Sequence, residues 1–207
     1  MSQFGDSAVA GAAIMGRITP VAFAAIFALS GAVGPIIGQN AGAGRYDRVR
    51  STLVSALGFT VIYVAVVWLL MALSAEAIVN TFSASEQAAD LILFYCWFLV
   101  GTFVFNGFLF VANASFNNLH HAHWATCFNF GRAVLGTIPA VWFGAQWFGP
   151  RGVMAGEAFG AMLFGLAAMC GAFWLVRRLE RQHRLIPPGP LSSTAVAGLE
   201  TGREPPV

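Results

Sequence analysis

Five polar side chains, Tyr95, Thr102, Asn106, Asn113 and Asn117, recur through an otherwise apolar stretch at offsets of seven, four, seven and four residues. At 100° per residue they fall within about 60° of one another around an α-helix. An amide without a partner is costly in hydrocarbon, so this face must meet protein or a water-filled cavity. Either these side chains hydrogen-bond to neighbouring helices and fix their packing, or they line the path of a solute. Glu157 is the acid placed clearly inside an apolar block, as expected of a group that couples to sodium or a proton or balances a cationic solute. Its alternative is an ion pair with Arg17 or a side chain snorkelling to the interface. Pro20 and Pro35, with Gly31, Gly34 and Gly38, make the first apolar block a hinge candidate. The blander alternative is a helix bent only to fit its neighbours.

Other reactive residue types form no constellation. His120, His121 and His123 have no cysteine or carboxylate nearby in sequence, and read as interfacial loop residues rather than metal ligands. Cys96, Cys127 and Cys170 lie far apart, each in an apolar block, and form no CxxC pair. There is no phosphate-binding loop, nucleophile elbow or catalytic dyad. The expectation is a protein with no catalytic residues, no metal and no organic cofactor.

The elements that position the polar stripe follow from composition. Of 207 residues, 57% are hydrophobic and 10% charged, against roughly 25% charged in soluble domains. Five long apolar blocks run over about 16–39, 52–74, 88–116, 123–147 and 152–176. Each reaches the ~20 residues needed to span a bilayer as a helix, and none alternates with the period of a membrane β-barrel strand. Gly152, Gly156 and Gly160 repeat every fourth residue, a small-residue face for tight helix contact. The fold class expected is an all-α integral membrane bundle of about five helices over 1–184. The proline-containing segment 185–207 reads as a disordered cytoplasmic tail.

Charge sets the orientation. The eleven basic residues are all arginines. With alternating spans, Arg45, Arg48, Arg50, Arg132, Arg177, Arg178, Arg181, Arg184 and Arg203 fall on one side, leaving Arg17 and Arg151 on the other. The positive-inside rule makes the first side cytoplasmic, so the N-terminus is outside and the C-terminus inside. Met1 to Ser7 carry Asp6 and no basic residue, unlike a cleavable signal peptide. A net charge of +2 spread along loops argues against a nucleic-acid partner. Lipid and a small organic solute are the partners expected.

The run from Ala32 to Arg45 contains Gly38-Gln39-Asn40, then Gly42, Gly44 and Arg45, with Arg48 and Arg50 beyond. It resembles the end of the eighth helix of multidrug and toxic compound extrusion (MATE) transporters. Gly5-Asp6-Ser7 before the first block, the Asn129–Arg132 pair and the Gly149–Gly152 pair are similar to that family as well. The resemblance covers about residues 5 to 178 and implies helices eight to twelve of a twelve-helix, two-lobed transporter. Such transporters exchange sodium or protons for organic, mostly cationic, compounds across the bacterial inner membrane. It further implies that an N-terminal lobe or partner chain completes the solute cavity. The acid that some members carry on the tenth helix is replaced by neutral polar residues such as Asn106, leaving Glu157 as the coupling candidate. A flippase of lipid-linked sugars shares the architecture, but Arg132 is the sole inward base here to hold a pyrophosphate. A non-transporting remnant or subunit is the third alternative.

Overall fold

The computed structural model describes residues 1–185; the expected tail lies, from Ile186 on, outside the described residues. Among the described residues the chain is helical and contains no strand. In chain order the helices are α1 (Asp6–Ala22), α2 (Ala24–Gly42), α3 (Tyr46–Leu73), the short α4 (Ala75–Thr81), α5 (Glu86–Phe94), α6 (Phe103–Asn118), α7 (Ala122–Gly131) and α8 (Ile138–Leu185). Wide π turns at Tyr95–Leu99 and a 3-10 turn at Val100–Thr102 join α5 to α6. Further π turns at Arg132–Thr137 join α7 to α8. Gly149, at φ 59° and ψ −140°, breaks α8 just before Pro150.

The contacts give the direction of each pass. Gly11 abuts Ala88, Thr19 bonds Tyr95, and Gly34 abuts Asn118, so α1–α2 runs parallel to α5–α6. Thr60 meets Gly107 while Trp68 meets Gly101, so α3 is antiparallel to them. Gly165 touches Phe105 and Arg151 pairs with Asp90, so the arm of α8 after Gly149 again runs parallel to α6. The bundle therefore alternates up and down, with Met1 and Leu185 at opposite ends. Arg45, Arg48, Arg50, Arg177, Arg178, Arg181 and Arg184 gather at the Leu185 end.

α3 shows how sequence separates protein-facing from lipid-facing surface. Val49, Leu53, Ala56, Thr60, Val64, Val67 and Met71, three or four residues apart, form its buried stripe. Ile62, Leu69, Leu70 and Leu73 point outward and remain exposed. Large apolar side chains on that scale would be a liability in water; in a bilayer they are solvated by lipid tails. Hydrophobic burial cannot hold such helices together, because lipid is as apolar as the core. Close packing must do so.

Glycine supplies that packing. In the antiparallel hairpin on either side of Gly149, a Cβ added at Gly152 would overlap the Gly144 carbonyl oxygen. One at Gly156 would lie 2.6 Å from the Ala140 backbone, and one at Gly160 2.9 Å from the Gly136 backbone. Gly165 is pressed in the same way on Phe105, whose carbonyl oxygen an added Cβ would overlap. At the arginine-rich end, Gly44 takes φ 71°, with Gly44 N–H donating to Ala41 C=O at 3.0 Å and Arg45 N–H to Asn40 C=O at 2.8 Å. This left-handed cap closes α2 and turns the chain into α3. Thus the Gly38–Arg45 motif is a helix terminus: Gly34 and Gly38 seat Asn118, and Gly44 lies against His183. Gln39 and Gly42 are exposed, and Asn40 donates to its own helix at Ile36 C=O.

Several sequence expectations shift. The first pass begins at Asp6 rather than near Gly16, because α1 continues the helix past the apolar boundary. Its break comes at Phe23, three residues after Pro20, while Pro35 sits exposed inside an uninterrupted α2. Arg132 lies deeper than its grouping with the arginine-rich side implies: α7 starts ten residues before it, which puts it about 15 Å into the pass.

Packing by glycine backbone makes a direct prediction. Gly152→Ala forces the hairpin apart and is expected to cost roughly 1–3 kcal/mol or more. Gly58→Ala, in the interior of α3 with nothing within 4 Å of the added Cβ, is expected to stabilise by about 0.5–1 kcal/mol. Thermal unfolding of both variants in detergent checks the pair.

Candidate functional site

A cavity of about 400 Å³ opens between α1, the α5–α6 junction, the start of the Arg132–Thr137 turns and the second arm of α8. Polar groups reach it from all four. α1 contributes Thr19, the junction contributes Tyr95, Thr102 and Asn106, and the remaining two contribute Arg132 and Glu157. Met15, Leu99, Phe103 and Met154 form apolar wall between them. Such a mixture suits an amphiphilic organic ligand: apolar surface supplies contact area and a few placed polar groups fix orientation.

The hydrogen bonds are directional. Thr19 Oγ1 donates to Met15 C=O at 2.7 Å, which commits its proton, so the 2.7 Å contact with Tyr95 has the phenol donating to Thr19. Thr102 Oγ1 donates to Leu99 C=O at 2.6 Å, tying down the tight turn. Arg132 Nη1 donates to Asn106 Oδ1 over a long 3.5 Å, and its Nε is buried without a partner among the described residues. Glu157 is exposed within the cavity. Ion pairs within 4 Å among the described residues are Arg151–Asp90 and Arg184–Glu180, so neither Arg132 nor Arg17 neutralises Glu157.

The five-residue stripe is therefore divided. Tyr95, Thr102 and Asn106 line the cavity, and Asn113 and Asn117 do not. The π turns lower the angular advance per residue and the 3-10 turn raises it, so the departures offset and Tyr95 still faces inward. Farther along α6 the same face passes beneath the cavity floor. Asn113 has a buried Oδ1 with no partner among the described residues, and Asn117 is exposed near the helix end. Pro20 lines the cavity rim and Pro35 lies remote from it. The histidines do not assemble a site: among the described residues no group of three or more His, Cys, Asp or Glu side chains is placed to hold a metal.

Two participants escaped the sequence reading. Thr19 gives no periodic signal; it lines the cavity from the last turn of α1, ahead of the Phe23 break. The Asp90–Arg151 pair joins α5 to the start of the last arm, with Arg151 Nε donating to Asp90 Oδ2 at 2.8 Å. The opposite charges were legible, but their pairing depends on α5 and α8 running side by side.

This architecture is that of a multi-pass helical membrane protein with a polar cavity between its passes. The chain belongs to the MatE family, whose pattern matches residues 1–142. It is 31% identical over 179 residues to an uncharacterized 21 kDa protein of Pseudomonas savastanoi encoded in the iaaL 5′ region, covering 81% of this chain and 55% of that protein. It is 25% identical over 179 residues to an FAD transporter of Shewanella oneidensis, covering 86% of this chain and 39% of that one. The chain thus spans about half or less of the length of these curated relatives. Its fold is similar to the crystal structure of the Vibrio cholerae MATE transporter VcmN in the bent form, with TM-score 0.78, 21% identity, and 89% and 41% coverage of the two chains. An outward-facing multidrug resistance MATE family transporter of the MOP superfamily matches with TM-score 0.79, 17% identity, and 86% and 40% coverage.

Among the described residues, the Tyr95–Thr19 bond is the side-chain hydrogen bond that links α1 to the irregular part of the third pass. A double-mutant cycle of Tyr95→Phe and Thr19→Val, followed by unfolding in detergent, is expected to give a coupling of about 0.5–3 kcal/mol. Additive losses would mean that the two hydroxyls do not act on each other.

Proposed function

We propose that this chain forms part of a cation-coupled efflux transporter that exchanges sodium or protons for organic, mainly cationic compounds across the inner membrane. The arginine-rich end is cytoplasmic, with the N-terminus outside. The observation that carries this reading is the cavity, where Glu157, Tyr95, Thr102 and Asn106 face one open space in a bundle otherwise coated with apolar side chains. Glu157 is the coupling residue in this scheme. An uncompensated carboxylate at such a site attracts either the driving cation or the cationic solute, and the two then compete for it. Competition for one carboxylate is sufficient for antiport: one species leaves as the other arrives.

Pro20 and the Phe23 break supply the hinge by which α1 could swing against α5 and alternate access to the cavity. An N-terminal lobe or partner chain closes the remaining wall, as it does in a transporter built from paired repeats. The relative described as an FAD transporter supports an organic solute. No catalytic residue, metal or organic cofactor has a part in the cycle.

The test is efflux of a fluorescent cationic dye from cells carrying the gene at its own locus, driven by an imposed sodium or proton gradient. Glu157→Gln is expected to lower gradient-driven efflux roughly tenfold or more. Asn106→Leu is expected to change which dyes are exported. Unaltered efflux in both variants would take this cavity out of the transport path.

A further inference from the structure

The least compensated group in the cavity is Arg132. A guanidinium stays protonated at any physiological pH and has no acceptor capacity, so it must be met by acceptors or anions. Here its Nη1 has one long contact, 3.5 Å to Asn106 Oδ1, and its Nε is buried and unpartnered among the described residues. Lying about 15 Å into the pass, it cannot readily snorkel to either interface. Intramembrane charge of this kind marks a ligand or ion site.

Glu157 shares the cavity but not the level. Gly156 packs on Ala140, and Gly160 on Gly136, which puts Glu157 opposite residue 139. That is seven residues from Arg132, or about 10 Å along the axis, toward the Met1 end. The cavity thus carries a base and an acid at separate depths.

Resting on the cavity reading above, we propose that Arg132, backed by Asn106, seats an anionic group of the bound molecule, a carboxylate or a phosphate. Glu157 meets a cationic group nearer the Met1 end, and the preferred solute is zwitterionic rather than purely cationic. A guanidinium binds either anion through paired, charge-assisted hydrogen bonds. Asn106 meets one Nη over a long contact and carries no charge, which leaves the guanidinium's charge to be balanced by the ligand. A phospholipid headgroup presents the same anion from the bilayer, so source and chemistry are tested separately.

The experiment is fluorescence-anisotropy titration of the detergent-purified full chain with two aminoxanthene dyes, one bearing a free carboxylate and the other its methyl ester. The wild type is expected to bind the free carboxylate roughly tenfold or more tightly than the ester. Arg132→Gln should abolish that preference by weakening the free carboxylate far more than the ester. Arg132→Lys should retain part of it. Asn106→Asp, which supplies an internal counter-ion and keeps Arg132, should abolish it too. Equal binding of both dyes by wild type, or equal weakening of both by Arg132→Gln, overturns the anion seat while the cavity reading stands. Binding of neither dye overturns the cavity reading and this inference with it. Displacement of the carboxylate dye by added anionic phospholipid, seen in wild type and absent in Arg132→Gln, assigns the seat to a lipid phosphate. Persistence of the dye under the same titration assigns it to a free solute.

Discussion

A main-chain group that loses its helical partner inside a bilayer has no water to turn to, and the rest of this bundle is arranged around that constraint. The chain leaves α geometry repeatedly within its passes, and side chains come to meet the carbonyls involved. At the α1–α2 break, Tyr63 donates its hydroxyl to Ala22 C=O at 2.8 Å. In the widened turns after α5, Trp68 donates its indole N–H to Trp97 C=O at 3.0 Å, and Thr102 covers Leu99 C=O. Tyr63 and Trp68 both come from α3, the most regular helix of the bundle. A straight helix thus carries the donors that let its neighbours bend.

Those departures build the cavity. Thr19 and Pro20 precede the first break, Tyr95 to Thr102 occupy the second irregular stretch, and Arg132 opens the third. A perfectly regular bundle would fill this volume with ridges and grooves. π turns open a helix and re-aim side chains, which is why they recur at functional sites. Here they bring a phenol, an amide and a guanidinium into one space. Phe103 of the cavity wall is backed by Phe23, at the break itself, with the two rings stacked at a centroid distance of 3.8 Å.

The membrane class and the helical bundle were legible in sequence because they rest on long apolar blocks, a signal that survives local irregularity. The Gly152, Gly156 and Gly160 face was legible for the same reason: four-residue spacing holds in any helix. The polar stripe was legible only in its first three members, since periodicity reports a face and not the depth at which a cavity ends. Asn113 and Asn117 keep the phase and lose the cavity. Arg132 was visible as the lone inward base, but its depth depended on where α7 begins. Thr19 had no signal at all. Its role comes from the contact of α1 with Tyr95 on the third pass, and such pairings are not written in spacing.

The separation of Arg132 from Glu157 is the consequence of packing that most shapes the site. Two opposite charges in a low-dielectric cavity attract strongly, and on flexible walls they would collapse into a pair and extinguish each other. Both walls here belong to the glycine hairpin, where backbone meets backbone at Gly144–Gly152, Ala140–Gly156 and Gly136–Gly160. Sliding one arm by a turn to bring the charges level would drive side chains into positions that only glycine fills, and would also disturb the Gly149 corner. Because the register is fixed by close contact, and not by the charges, both ions stay unneutralised by each other and available to whatever occupies the cavity.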